Sequence, residues 1–223
     1  MLWIVLADSE LELVPKEIVR TPAILKSAQM RRKDASGVLL DSSNHFASMK
    51  GLKEWQRRGR PDIVHFCLLL ALDSQLNREG GLKVVVHTRN DEVIEFASET
   101  RLPRIYGRFT GLMEDLFKKG KIVSPEGRTL MRLKRKTLSK LLEETGVEPI
   151  VFDESGEKLG ITELAKLLTS NDACVVIGGF PSGGFKSKCL EGCKKVSVAH
   201  EPLCAWSVLA KAVVAREAAL EGA

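Results

Sequence analysis

Val175-Val176-Ile177-Gly178-Gly179-Phe180-Pro181-Ser182-Gly183-Gly184 sets an apolar, β-branched run directly against a glycine-rich one. Residues 174–177 show no polar alternation, which is how a strand covered on both faces of a parallel sheet reads. In open parallel sheets ligands settle beyond the carboxyl ends of the strands. Glycines there let backbone N–H groups approach a ligand with no Cβ in the way. The spacing is neither G-x-G-x-x-G nor G-x-x-x-x-G-K-[ST], and no helical pattern starts at once, so dinucleotide and P-loop readings fail. A generous turn between two strands is the competing account of this loop.

Outward from it, residues 2–7, 38–41, 147–152 and 195–199 repeat the short apolar strand signature. Residues 22–33, 61–72, 137–145, 162–169 and 202–220 read as helices, with Pro22 and Pro61 at first-turn positions and Gly146 as a stop. The alternation predicts βαβ units around a mostly parallel sheet. Residues 82–89 and 93–98 alternate instead and flank Asn90-Asp91, a hairpin signal. The expectation is one α/β domain over residues 1–223, with a small, β-rich and basic insertion in roughly 82–136, of which the weakly patterned, basic residues 125–136 read as a short piece projecting from the main sheet.

The 223 residues are 44% hydrophobic and 28% charged, ordinary globular usage that argues against disordered, collagenous and membrane classes. No apolar run approaches the roughly 20 residues of a membrane span, and residues 1–7 are too short for a signal peptide core. A cytoplasmic protein is expected. Five scattered cysteines (Cys67, Cys174, Cys189, Cys193, Cys204) make no disulfide framework and lack zinc-finger spacing, so no metal is expected. The formal charge is +5 and the pI about 9.0, which favours an anionic partner. Between Phe117 and Leu142 nine basic residues face one acid, Glu126. That run predicts a surface turned toward phosphates rather than a solvated face of mixed sign.

Three further patterns carry chemistry. In Gly59-Arg60-Pro61-Asp62-Ile63-Val64-His65, Arg60 precedes a helix and Asp62 lies in its first turn, near enough to orient the guanidinium. In Arg101-Leu102-Pro103-Arg104-Ile105-Tyr106-Gly107-Arg108-Phe109, three arginines recur with no acid from Thr100 to Met113, and Pro103 is expected to start a helix that carries Arg104 and Arg108 and leaves Arg101 in the preceding loop. Arginine's planar fork grips two phosphate oxygens at once. Finally, His200-Glu201 stands where a strand gives way to a helix.

Taken together, Arg60-Pro61-Asp62-Ile63-Val64-His65 with Leu72-Asp73-Ser74, Arg101-x-Pro103-Arg104-x-x-x-Arg108-Phe109-x-Gly111-Leu112-Met113, Gly178-Gly179-Phe180 and Pro202-Leu203-x-Ala205 resemble the ribosome-biogenesis pseudouridine-N(1)-methyltransferase family. The short N-terminus looks like an archaeal member. The resemblance implies a SPOUT fold with a C-terminal trefoil knot, and a homodimer. It implies S-adenosyl-L-methionine as cofactor, held by Gly178, Gly183, Val196, Ser197, Val198, Ala199, His200, Glu201 and Leu203. It implies small-subunit ribosomal RNA as substrate, contacted by Arg60, Arg101, Arg104 and Arg108, with Asp62 and Arg60 at the reaction and ribosomal assembly proteins as further partners. The rival functions are a SPOUT methyltransferase for another RNA position and an RNA-binding assembly protein with no essential catalysis.

Overall fold

The computed structural model describes residues 1–169 and 172–221. The chain runs β1 (Leu2–Ser9), α1 (Pro22–Arg31), α2 (Ser42–Met49), α3 (Pro61–Asp73), α4 (Gln75–Arg78), β2 (Leu82–Thr88), β3 (Glu92–Phe96), α5 (Tyr106–Lys119), β4 (Lys121–Val123) and β5 (Thr129–Arg135). It continues through α6 (Leu138–Thr145), β6 (Pro149–Lys158), α7 (Ile161–Leu167), β7 (Ala173–Gly178), β8 (Lys194–Ser197) and α8 (Ala205–Glu221). All eight strands join one sheet in the order β4-β5-β3-β2-β1-β7-β6-β8. The five strands from β2 to β8 in that order are parallel, and β3, β5 and β4 extend the sheet antiparallel.

The centre is apolar throughout because both faces are covered. On β1, Leu2, Ile4 and Leu6 belong to one core with α3, α5 and α8, whereas Val5 and Ala7 belong to a second with Leu138, Leu141 and Leu142 of α6. β7 divides in the same way, Val175 and Ile177 against Cys174 and Val176. A strand's side chains point alternately to opposite faces, so two covered faces leave no polar position in the run.

Three expectations change. Residues 38–41 are buried but form no strand: Leu39 makes a lone bridge to Leu13. Leu40 N donates to the Glu12 carbonyl, and Asp41 caps α2 by accepting from Ser43 N. Their backbone is satisfied by the segment after β1, so the run joins the satellite core around α1 and α2. The 90–91 hairpin turns β3 back onto β2 as expected, but residues 129–135 do not project: they form β5, which pairs with β3, and β4 follows as the sheet's antiparallel flank. The basic run is also less unopposed than its sequence suggests, since Lys119 pairs with Asp115, Lys134 with Glu95 and Lys136 with Glu144. Those acids lie just outside the run or across the sheet.

Candidate functional site

Two clefts hold most of the residues singled out above; His200, Arg101 and Arg108 line neither. The first, about 660 Å³, opens at the carboxyl ends of β7 and β8, beside the middle of β6. Its walls are the glycine-rich loop after β7, the segment after β8 and the start of α8. Of the expected cofactor residues, Gly178, Gly183, Val196, Ser197, Val198, Ala199, Glu201 and Leu203 line it. His200 faces solvent, with Nδ1 3.4 Å from Lys158 Nζ. The walls also carry Asp153 and Glu154 midway along β6, where its register with β8 shifts, and no motif announced them.

The loop's glycines are there for space. At Gly178 a Cβ would lie 2.5 Å from the Phe180 ring, and at Gly179 it would lie 2.1 Å from Ser9 Oγ and 2.8 Å from Ser9 Cα. Gly179 N donates to the Ala7 carbonyl and its own carbonyl accepts from Glu10 N, so the β1 ladder carries on into the loop. Gly183 has φ +81, a conformation natural to glycine. Across the cleft, Lys211 Nζ of α8 donates to the Val198 carbonyl at 2.5 Å, and Ser197 Oγ to the Ala199 carbonyl at 2.9 Å, fixing the segment after β8.

The second cleft, about 500 Å³, lies between α2, α3 and the approach to α5. Arg60 donates to Asp62 through both arms of its fork, Nε to Oδ1 at 2.8 Å and Nη2 to Oδ2 at 2.7 Å. Hydrogen bonding to Asp62 raises the Arg60 pKa further, and both carboxylate oxygens are taken up by the arginine. Tyr106 Oη donates to Asp41 Oδ2 at 2.8 Å, and burial with Asp41 beside it pushes the phenol's pKa up. His65 stacks on Phe109 at 4.2 Å. Its Nε2 is 2.8 Å from the Pro103 carbonyl, so that nitrogen carries the proton, and burial lowers the ring's pKa.

This bond pins the loop of Arg101 and Arg104 to α3. Helix α5 begins only at Tyr106, with Ile105 at its N-cap position and no side-chain cap, so Arg101 and Arg104 sit in the loop and Arg108 alone is helical. All three are exposed, and Arg104 lines the second cleft. Phe66, in that cleft's wall, packs on Trp206 of α8 at 5.1 Å, next to the Ala205 that lines the first cleft. Among the described residues no group of His, Cys, Asp and Glu could hold a metal ion, and no helix is long and apolar enough to cross a membrane.

A parallel α/β sheet in which β7 and β8 end at a glycine-lined crevice, closed by the C-terminal helix, defines a methyltransferase of the SPOUT class. The profile of the EMG1/NEP1 methyltransferase family matches residues 4–217, and the chain belongs to that family. It is 50% identical over 216 residues to the ribosomal RNA small subunit methyltransferase Nep1 of Thermococcus onnurineus, covering 96% of this chain and 97% of the relative. It is 49% identical over 218 residues to the Pyrococcus furiosus protein of the same name, covering 97% and 96%. In structure it is similar to Archaeoglobus fulgidus Nep1 bound to S-adenosylhomocysteine, with TM-score 0.88, 38% identity and 98% of each chain covered.

Proposed function

We propose that this protein transfers a methyl group from S-adenosyl-L-methionine to N(1) of a pseudouridine in small-subunit ribosomal RNA, as a step in small-subunit biogenesis. The observation that carries the reading is the first cleft, a glycine-lined crevice at the strand ends in a chain 38% identical to a protein solved with the demethylated cofactor. The residues present suit such a group. Ile177, Val196, Val198 and Leu203 offer an apolar wall, glycines leave room for close backbone approach, and Asp153, Glu154 and Glu201 supply negative charge for a cationic ligand. When bound, the cofactor supplies an electrophilic methyl on a sulfonium.

The chain's part is to place the acceptor nitrogen in line with that methyl, a positioning effect that can remove much of a barrier. The base must leave its stack to get there, which suits a loop or single-stranded target. The N(1) proton passes to water, the negative charge this leaves on the ring is cancelled as the methyl bond forms, and the Arg60 guanidinium is the cation held ready for that charge. Asp62 spends both oxygens on Arg60, so it acts by orienting the arginine rather than as proton acceptor. Arg101, Arg104 and Arg108 hold the RNA backbone. The exposed Phe66 of α3 and Val214 of α8, helices that pack on each other, support a homodimer built on that pair. Helix α8 turns back from the sheet edge at β8 to pack on α3, α7 and β7, which supports the C-terminal knot. The setting is the cytoplasm, with ribosomal assembly proteins as neighbours.

The test is mass spectrometry of rRNA fragments, with and without pseudouridine at the target, after incubation with labelled cofactor. Label on N(1) of pseudouridine is expected. Label on another base or a ribose hydroxyl would redirect the chemistry, and tight RNA binding with no transfer would leave an assembly protein.

The Arg60–Asp62 fork gives a second expected result. Asp62→Asn loses a charge-assisted pair worth about 1.5 to 3 kcal/mol when buried, and less here because about a third of each side chain is exposed. Asp62 lies in the first turn of α3 rather than at its N-cap, so the stability lost with its charge is the helix-dipole contribution of about 0.3 to 1 kcal/mol; the thermal midpoint should drop by only a few degrees while RNA affinity falls. Combined with Arg60→Ala, the double variant should bind RNA little worse than Arg60→Ala alone, because the aspartate works through the arginine. Fully additive losses in filter binding would move Asp62 to the role of proton acceptor.

A further inference from the structure

The glycine-rich loop is gripped by charges that lie in none of the motifs. Two carboxylates at the end of β1 do this, one directly and one through an arginine. Asp8 has φ 50, a left-handed backbone that few residues other than glycine adopt. The turn aims its buried carboxylate at the far limb of the loop, where it accepts from Lys186 N at 2.7 Å, Ser187 N at 3.0 Å and Ser187 Oγ at 2.6 Å. Strain of this kind persists where the surroundings demand it, commonly at ligand sites.

Glu10 is fully buried and accepts from Arg57 Nε at 2.6 Å and Arg89 Nη1 at 2.5 Å. Arg57 then reaches the near limb: Nη1 donates to the Gly184 carbonyl at 2.7 Å and the Ser182 carbonyl at 3.4 Å. Its guanidinium sits 3.8 Å from the centre of the Phe180 ring, which lines the first cleft. One limb is thus held by a cation on its carbonyls and the other by an anion on its amides. Arg57 is 9% exposed, and its Nη2 is buried with no hydrogen-bond partner. A buried ion pair is a poor way to gain stability alone, since apolar residues of similar volume often do as well. What the guanidinium adds is a rigid fork that sets the loop's shape.

We propose that Arg57, anchored by Glu10, is a positioning residue for the methyl donor: it fixes the loop over residues 180–184 and thereby the first cleft's affinity for S-adenosylmethionine. The proposal rests on that cleft being the cofactor site. Removing Arg57 leaves Glu10 paired with Arg89, so the variants do not strand a buried charge.

The experiment is calorimetric titration of S-adenosylhomocysteine into wild type, Arg57→Lys, Arg57→Gln and Gly178→Val, with thermal midpoints and steady-state kinetics of Arg57→Lys. Lysine keeps the charge opposite Glu10 but replaces the planar fork with a single flexible donor. Its midpoint should stay within about 5 °C of wild type, while affinity falls about tenfold, as for the removal of one charge-assisted hydrogen bond. The KM for the donor should rise by a similar factor with kcat far less affected, and Arg57→Gln should lose at least as much affinity. If Arg57 serves only to neutralise Glu10, lysine restores affinity together with the midpoint, and Arg57→Lys binding like wild type overturns the proposal. A silent Arg57→Lys beside a damaging Gly178→Val removes the clamp alone. If both bind like wild type, the cofactor-site assignment falls as well.

Discussion

Replacing Arg101, Arg104 and Arg108 together by alanine is expected to weaken RNA binding about a hundredfold near 0.1 M salt, as three exposed charge-assisted interactions of about 1 kcal/mol each would dictate. All three side chains are exposed and none takes part in an ion pair among the described residues, so their removal leaves no buried charge behind. The fold should be undisturbed, because the loop of Arg101 and Arg104 is pinned by its backbone, through the Pro103 carbonyl on His65, rather than by the arginines. Each arginine withdrawn from a phosphate of single-stranded RNA should flatten the plot of log affinity against log salt by roughly 0.7, or about 2 units for the triple variant. Cofactor affinity should be unchanged. An unaltered salt slope, measured by fluorescence anisotropy from low to moderate salt, would sink the assignment of this surface to RNA.

Gly178→Val should abolish detectable cofactor binding, a loss of at least about a hundredfold, the equivalent of roughly 2.7 kcal/mol. The cause is indirect. A Cβ at position 178 would meet the Phe180 ring at 2.5 Å, so the ring must swing away, taking with it the face on which Arg57 rests. Valine's branched side chain also adds bulk to the cleft's lining. Position 178 is also the last residue of β7, and overpacking at such a site typically costs about 1 to 3 kcal/mol of stability. A thermal midpoint therefore has to accompany the titration. A folded Gly178→Val protein that binds S-adenosylhomocysteine like wild type would remove the loop from the cofactor site.

The parallel core was legible because strands covered on both faces have no polar positions, and β1 and β7 show that in their composition alone. The Arg60–Asp62 fork was legible because it is local: two residues apart, across a helix start. Residues 38–41 misled because an apolar run signals burial and says nothing of which backbone pairs with it. The arginine series misled in a related way, since Pro103 marks a first-turn preference but the helix waits until Tyr106. The clamp on the glycine loop had no signal at all. Glu10 and Arg57 are 47 residues apart, and Arg57 and Gly184 are 127, with no spacing rule to join them. Tyr106 and Asp41 met only in three dimensions for the same reason.

The place of β1 in the sheet governs how the molecule can be made. β1 is the first strand to be synthesised and ends at Ser9, yet it lies between β2 and β7, and β7 begins only at Ala173. At roughly 5 to 20 residues per second, ribosomes need on the order of ten seconds or more to cover that interval. For that time one edge of this apolar strand has no partner of its own. The cofactor crevice cannot exist before the last quarter of the chain has emerged. Pairings between such distant segments are slow to form, because the closure of a long loop precedes any interaction that rewards it. The nascent chain is therefore exposed to aggregation through its amino-terminal strand, and its folding is decided at its carboxyl end.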